Sequence, residues 1–191
     1  IEMVFTRLHA GGKFDKTAGG AYSFSGGLHG VGVSVTNALA RRLEVTVWRK
    51  GDKDARGNRL AHTIAFADGE LAEKLAHRPA LRDEPASGTR VSISPNPKYF
   101  DSATIPLGEL ERLLRSKAVL LPGVKVTLFI EKTGETRQWQ YDEGLRGYLL
   151  EELAQEPEAE PLVLFEDQQY AAAGDDSFAE GEGAHWVVAF T

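Results

Sequence analysis

The chain of 191 residues carries 22 basic and 28 acidic side chains, and its apolar fraction of 42% is ordinary for a soluble globular protein. The absence of cysteine excludes disulfides and thiolate metal sites, and the five histidines show no metal-ligand spacing. The net charge of −6 argues against a protein whose whole surface binds nucleic acid, and no apolar run reaches the roughly 18 residues of a membrane span.

Apolar periodicity predicts helices and strands in alternation along the first half of the chain. Residues 1–9 are expected to form the last turns of a helix, and a glycine-rich loop follows over 10–20. Helices are predicted over about 33–42 and over 70–77, where Pro79 would end the second one. Strands are predicted where apolar and polar residues alternate, over 43–49, 60–66 and 90–94.

The second half of the chain repeats this mixture of elements. Leucines at helical spacing predict a helix from Leu107 to about Ala118, and a last helix is expected over 145–153. Between them lies a predicted hairpin, and an acidic linker at 155–161 precedes two further strands. Because hairpins join several strands, the predicted fold class is α+β, a two-layer sandwich of helices on a mainly antiparallel sheet.

The segment 25–32, SGGLHGVG, concentrates four glycines immediately before a predicted helix. Ordering glycine costs more conformational entropy than ordering any other residue, so the cluster indicates positive φ angles or a close approach to the backbone. Unpaired amides at such a loop and at a helix N-terminus favour a phosphate. Turn geometry alone is the alternative, because neither Gly-x-x-x-x-Gly-Lys-Ser/Thr nor Gly-x-Gly-x-x-Gly occurs here.

Two longer segments carry a resemblance to a known family: LHAGGKF over 8–14 and FSGGLHGVGVSVTNAL over 24–39. Together with SGTRV over 87–91 and KAVLLPGV over 117–124, they resemble the ATP-binding domain of bacterial type IIA topoisomerase B subunits. That domain belongs to the GHKL superfamily of gyrase, heat-shock chaperone, histidine-kinase and mismatch-repair ATPases. The resemblance implies the C-terminal part of a GHKL domain, with its ATP lid, over 1–160. The first strands of a transducer domain would then occupy 161–191.

The same resemblance implies an ATP site. The phosphate-binding loop of the lid would comprise Gly27, Leu28, His29, Gly30, Val31, Gly32 and Val33. Lys13 would contact a phosphate oxygen, Tyr22 would hydrogen-bond the nucleotide, and Thr89 would help to bind adenine. An apolar wall would consist of Val4, Val33 and Val91, and Arg49 would lie at the pocket mouth. The alternatives are that the valines are core residues and that Arg49 is merely solvated. Without nucleotide, lid residues 11–20 and 22–30 are expected to be mobile.

Residues 6–9 and 117–123 resemble the topoisomerase IV branch of the family more than the gyrase branch, which stays the alternative; other GHKL ATPases are more remote. The resemblance implies a cytoplasmic, ATP-dependent type IIA DNA topoisomerase that drives strand passage and decatenation. Its implied partners are DNA, the topoisomerase IV A subunit and a second copy of the B subunit that joins when ATP binds, with no membrane.

ATP and Mg²⁺ are the implied cofactors, but no catalytic or metal-binding residue is expected within this chain. In the family, the general base and the Mg²⁺ ligand lie on an N-terminal helix, and the adenine-binding aspartate lies in an Asp-x-Gly-x-Gly segment. Neither pattern is found here. The chain is therefore expected to be a piece of the enzyme that does not hydrolyse ATP by itself.

Overall fold

The computed structural model describes residues 1–9, 30–102, 104–154, 163–171 and 183–190. Contacts between residues divide the chain into two units, Ile1–Ala103 and Thr104–Thr191. The domain boundary expected after residue 160 stays a prediction.

The first unit is built on a four-stranded sheet in which every neighbouring pair of strands is antiparallel. Its strands are β1 (Ala40–Lys53), β2 (Arg59–Ala67), β3 (Glu70–Pro79) and β4 (Gly88–Pro95), and they lie side by side in the order β3-β2-β1-β4. Two short helices precede it, α1 (Glu2–Thr6) and α2 (Gly32–Ala38), and a 3₁₀ turn at Pro97–Tyr99 follows it. The predicted antiparallel sheet and its strands over 43–49, 60–66 and 90–94 are confirmed.

The helix predicted over 70–77 is wrong, because these residues form β3. Asp68 (φ 50°) and Gly69 (φ 89°) both have positive φ, and they form the two-residue loop between the paired residues Ala67 and Glu70. Positive φ at both loop positions is the hairpin geometry that the sequence Asp-Gly favours. Pairing with β2 therefore outweighs the helix propensity of the leucine, alanine, lysine and glutamate side chains that follow.

The helix predicted over 33–42 is also shorter than expected. It ends at Ala38, and the chain enters β1 at Ala40, so that Arg42 is already paired in the sheet. The apolar periodicity did not distinguish the end of the helix from the start of a strand that follows it directly.

One face of this sheet, the front face, carries the core of the first unit. It is defined by Leu43, Val45 and Val47 on β1 and by Ile64 and Phe66 on β2; Leu43 stands opposite Phe66 and Val45 opposite Ile64. Four of these side chains are at most 2% exposed, and Val47 packs against them. Phe5 of α1 stacks on Phe66 with ring centroids 5.5 Å apart, so the helix layer lies on the front face.

Asn37 connects three parts of this layer. Its side-chain nitrogen donates hydrogen bonds to the carbonyl oxygens of Phe5 in α1, at 3.1 Å, and of Gly69 in the β2–β3 turn, at 2.9 Å. The side chain is only 1% exposed, so these contacts hold α2 against both α1 and the end of the sheet in a site that excludes water.

The described residues of the second unit form two helices and two antiparallel strand pairs. These elements are α3 (Leu107–Leu120), β5 (Val126–Ile130), β6 (Glu135–Trp139), α4 (Gly144–Ala154), β7 (Val163–Tyr170) and β8 (Gly183–Phe190). They agree with the predicted elements. Ala118, Val119 and Tyr141 form the buried core of this unit, and Arg115 donates to the Tyr141 hydroxyl at 2.9 Å. None of the described helices is long and apolar enough to cross a membrane.

Candidate nucleotide-binding site

Two of the predicted nucleotide contacts lie side by side on the front face of β4. Thr89 stands opposite Val47, and Val91 stands opposite the buried Val45. Directly opposed residues of an antiparallel pair share one face of the sheet, so Thr89 and Val91 are on the side that carries the helices. Thr89 is exposed and Val91 is 49% exposed, which leaves a hydroxyl beside an apolar surface that a ligand can reach.

Two other predicted wall residues belong to the helix layer. Val4 lies on α1 and Val33 lies in the first turn of α2, and each is 43% exposed. The core residue Val45 is only 1% exposed. The predicted wall valines are therefore more exposed than Val45 among the described residues, and their role as a wall stays a prediction.

The described end of the glycine loop gives different roles to its two glycines. Gly30 has a φ of 61°, a turn geometry that favours glycine, and Val31 is the residue before the first helical residue of α2, Gly32. Gly32 has no positive φ, and no described atom lies within 4 Å of the position that a Cβ would take there. Neither conformation nor packing among the described residues explains a glycine at 32.

The helix dipole at this loop is weaker than the sequence suggested. Because α2 has seven residues and ends at Ala38, fewer aligned peptide groups point at the loop than in the predicted helix. The described backbone around Gly32 instead offers open space beside the amide groups of the first helical turn.

The remaining predicted contacts divide into two groups. Lys13, Tyr22, Gly27, Leu28 and His29 lie outside the described residues, and so do lid residues 11–20 and 22–29, for which mobility was predicted. Arg49 is exposed, one position beyond Trp48, whose pairing with Gly88 is the last in the β1–β4 ladder. That position fits the rim of a site on β4, and it fits a solvated side chain equally well.

Sequence reasoning missed a buried carboxylate close to this site. Glu84, in the loop between β3 and β4, is 8% exposed and accepts two hydrogen bonds from Arg78, at 2.5 and 2.8 Å. The Arg78 guanidinium, with help from the Leu81 backbone N–H, lowers the pKa of Glu84 to about 2, although burial opposes this shift. Glu84 stands in a polar stretch that is typical of a solvated loop, so no local signal indicated its burial.

Metal-ligand clusters and grooves are the remaining kinds of site in the described part of the chain. Among the described side chains, no group of three or more histidines and carboxylates could hold a metal ion. A shallow groove of about 510 Å³ runs along α3 in the second unit, lined by Ile105, Leu110 and Leu113 among others. None of the predicted nucleotide contacts lines it.

Comparison with known proteins finds no matching family model but many similar proteins. The B subunit of DNA topoisomerase 4 from Pseudomonas aeruginosa is 43% identical over 157 residues, 82% of this chain and 23% of that protein. The DNA gyrase B subunit of Streptococcus pneumoniae is 36% identical over 152 residues, 78% of this chain and 21% of that protein. The chain thus spans less than a quarter of the length of these relatives.

Two solved structures have a similar fold. The ATP-binding domain of Francisella tularensis topoisomerase IV, in complex with a small-molecule inhibitor, matches 77% of this chain and 41% of its own, with 31% identity and a TM-score of 0.52. The 43K ATPase domain of Thermus thermophilus gyrase B, in complex with an aminocoumarin, matches 90% of this chain and 39% of its own, with 22% identity and a TM-score of 0.63.

An antiparallel sheet covered by helices on the face that carries Thr89 and Val91 is therefore the fold of a GHKL ATPase domain. Within that class, topoisomerase IV B subunits from several bacteria are 37–43% identical to this chain over about four fifths of its length. The chain is thus similar to bacterial type IIA topoisomerase B subunits, and these topoisomerase IV subunits share more identity with it than the 36% of the Streptococcus pneumoniae gyrase subunit.

Proposed function

We propose that this chain is the part of a topoisomerase IV B subunit that binds ATP on the front face of its sheet. The observation that carries the proposal is the exposure of Thr89 and Val91 beside the helix layer, in a chain 43% identical to such a subunit. A hydroxyl beside an apolar surface suits adenine, which needs both a hydrogen bond and a flat hydrophobic contact.

Each residue of the proposed site has a distinct task. The hydroxyl of Thr89 binds the adenine edge, directly or through a water, and Val4, Val33 and Val91 form the apolar wall. Residues 27–33 surround the phosphates with backbone amides, and Gly32 leaves room for their approach. Lys13 supplies a positive charge to a phosphate, Tyr22 binds the nucleotide from the lid, and Arg49 lies at the pocket mouth. ATP, when bound, supplies the phosphoanhydride bond whose hydrolysis drives the enzyme.

The activity of the whole protein follows from that of its relatives and is part of the proposal. In this proposal the whole protein is an ATP-dependent DNA topoisomerase of the bacterial cytoplasm. It passes one DNA segment through another and unlinks daughter chromosomes. Mg²⁺ accompanies the nucleotide, and its ligands lie outside this chain. DNA, a topoisomerase IV A subunit and a second copy of the B subunit, which joins when ATP binds, are its partners.

The proposed ATP site is tested at Gly32, a glycine at which the described fold could accommodate a side chain. In the full-length protein, Gly32→Ala is expected to weaken ATP binding, because the added methyl group occupies space that the fold leaves open. Gly108→Ala is the matched control, since Gly108 lies in the first turn of α3, where a Cβ meets nothing within 4 Å either. Lys13→Ala is expected to remove a charge-assisted contact of roughly 1.5–3 kcal/mol.

Titration calorimetry with a non-hydrolysable ATP analogue measures all three variants. Unchanged affinity in both Gly32→Ala and Lys13→Ala would overturn the site, and equal losses in Gly32→Ala and Gly108→Ala would show that the effect is not local.

A gyrase B subunit is the second candidate, because a gyrase relative is 36% identical to this chain. The two enzymes differ in the reaction that the reconstituted complex carries out. The full-length protein, mixed with the A subunit of its own organism, is expected to unlink catenated circles without introducing negative supercoils. ATP-dependent negative supercoiling of relaxed plasmid would instead identify a gyrase.

A further inference from the structure

The loop over 80–87 makes an unusual connection in the first unit. It joins β3 to β4, which form opposite edges of the sheet in the order β3-β2-β1-β4. The loop must therefore pass the ends of two intervening strands. On the face opposite the front face, here called the back face, Trp48 and Ala61 stand paired, and they are 3% and 0% exposed.

Two arginines hold this loop in place. Arg59, at the start of β2, donates hydrogen bonds to the backbone carbonyls of Leu81, Glu84 and Pro85 at 2.8–3.1 Å. Arg78, near the end of β3, binds both carboxylate oxygens of Glu84. Since a forked guanidinium–carboxylate pair fixes direction as well as distance, Glu84 ties the loop to one orientation on the sheet.

Glu84 also organises the loop from within. Its Oε2 accepts the backbone N–H of Leu81 at 2.8 Å, which closes a short turn over residues 81–84. Beneath it on the back face, the Trp48 indole nitrogen is buried without a hydrogen-bond partner among the described residues. The carboxylate is thus the point at which the loop, Arg78 and the back face meet.

The loop ends where the proposed nucleotide site begins. Gly88 pairs with Trp48 and Thr89 with Val47, and these are the first pairs at this end of β4. Within the described sheet, β4 is paired only with β1, so its first residues are held by one ladder and by the loop before them. A shift of the loop would therefore move Thr89 on the other face of the strand.

We propose that Glu84 is a positioning residue for nucleotide binding, which holds the loop over 80–87 on the back face and thereby fixes Thr89 on the front face. This inference rests on the proposed function, because it concerns the adenine contact of the same site. Glu84 itself touches no nucleotide, since it lies on the opposite side of the sheet.

The experiment is a double-mutant cycle in the full-length protein, with affinity for the ATP analogue as its readout. Glu84→Gln keeps the shape of the side chain but removes its charge, and Thr89→Val keeps the shape but removes the hydroxyl. Residues that act through one another show non-additive effects, so Glu84→Gln is expected to weaken binding roughly 3- to 10-fold in the wild type and less than about 2-fold in the Thr89→Val background. Glu44→Gln, which removes the same charge from an exposed ion pair with Arg42, is the control and is expected to change nothing.

Each result supports or overturns the inference. Equal losses from Glu84→Gln in both backgrounds would show a general structural role, and no loss in the wild type would show no role in binding. If Glu84→Gln does not fold, Arg78→Lys replaces it in the same cycle, because lysine keeps the charge but not the forked contact. Failure of the proposed function is distinguishable, since the Gly32→Ala and Lys13→Ala variants would then bind the analogue as the wild type does.

Discussion

The side-chain nitrogen of Asn37 lies 3.1 Å from the carbonyl oxygen of Phe5, and this hydrogen bond joins the two helices that carry Val33 and Val4. A second bond from the same nitrogen reaches Gly69 in the β2–β3 turn. The spacing of the proposed apolar wall therefore depends in part on one buried amide.

Asn37→Leu is expected to lower the free energy of unfolding of the ATPase region by about 1–3 kcal/mol, because two carbonyl groups lose their donor in a buried site. Thr36→Ala is the control, since Thr36 is exposed on the same helix and its hydroxyl donates a hydrogen bond to the backbone carbonyl of Gly32. Denaturant unfolding of the full-length protein, followed by circular dichroism, measures both. Equal losses in the two variants would contradict the assigned role of Asn37.

Phe66→Ala is expected to lower the free energy of unfolding by about 3–5 kcal/mol. Phe66 is fully buried and stacks on Phe5, so removing its ring leaves a cavity. Phe129→Ala removes the same side chain where it is 59% exposed, and its effect should stay within about 0.5 kcal/mol. The same unfolding experiment compares them. A small effect of Phe66→Ala would mean that the front-face core is not as described.

Alanine substitutions at two glycines distinguish the effect of backbone strain on stability from the effect of crowding by neighbouring atoms. Gly57 and Gly69 both have a φ above 80°, so alanine at either position is strained by about 1–2 kcal/mol. At Gly69 the added Cβ would also lie 3.2 Å from the Cα of Ala38, whereas at Gly57 it would meet nothing within 4 Å. Gly69→Ala should therefore lower the melting temperature more than Gly57→Ala does. The reverse order would show that the β2–β3 turn does not pack under α2.

Stability at acid pH should depend on Glu84. Its pKa in the folded protein is lowered to about 2 from an ordinary value of 4.5, chiefly by the hydrogen bonds from Arg78. As the pH falls, the Glu84 carboxylate takes up a proton in the unfolded chain before it does so in the folded protein. The contribution of Glu84 to the free energy of unfolding is therefore complete above pH 4.5 and is lost as the pH falls towards 2. The difference in melting temperature between wild type and Glu84→Gln should be constant from pH 7 to pH 5 and shrink below pH 4.5.

Glu73→Gln is the control for this pH series. The side chain of Glu73 is 63% exposed, and its carboxylate forms an ion pair with Arg42. Such surface pairs contribute little at any pH. A melting difference for Glu84→Gln that does not shrink in acid would contradict the lowered pKa.

The strands were predictable from sequence because they depend on local pattern, and period-two alternation located β1, β2 and β4. The glycines around Gly30 and Gly32 left turn geometry open, so the ATP site came from the family resemblance and stays a prediction. The helix prediction over 70–77 failed because local composition says nothing about a neighbouring strand that supplies hydrogen bonds to β3. The Asp68-Gly69 pair was the one local signal for that hairpin.

The contacts of Glu84 were not predictable for a different reason. Arg59 and Glu84 lie 25 residues apart in sequence, and a charged residue in a polar loop is usually solvated. Only the order of the strands, which carries the loop past β2 and β1, brings the Arg59 side chain to the backbone carbonyl of Glu84. The exposure of Val4, Val33 and Val91 likewise depends on which elements cover them, and apolar character alone predicts burial.

The strand order also has a kinetic consequence. The hairpins β1–β2 and β2–β3 close over short loops, whereas β4 pairs with β1 only after the chain has passed the whole of β2 and β3. Closing a longer loop costs more entropy, so we expect the β1–β4 ladder to form after the three-stranded meander. The strand that carries Thr89 and Val91 would then be unformed in the folding transition state. A ligand that binds this strand should slow the unfolding of the protein and leave its rate of folding nearly unchanged.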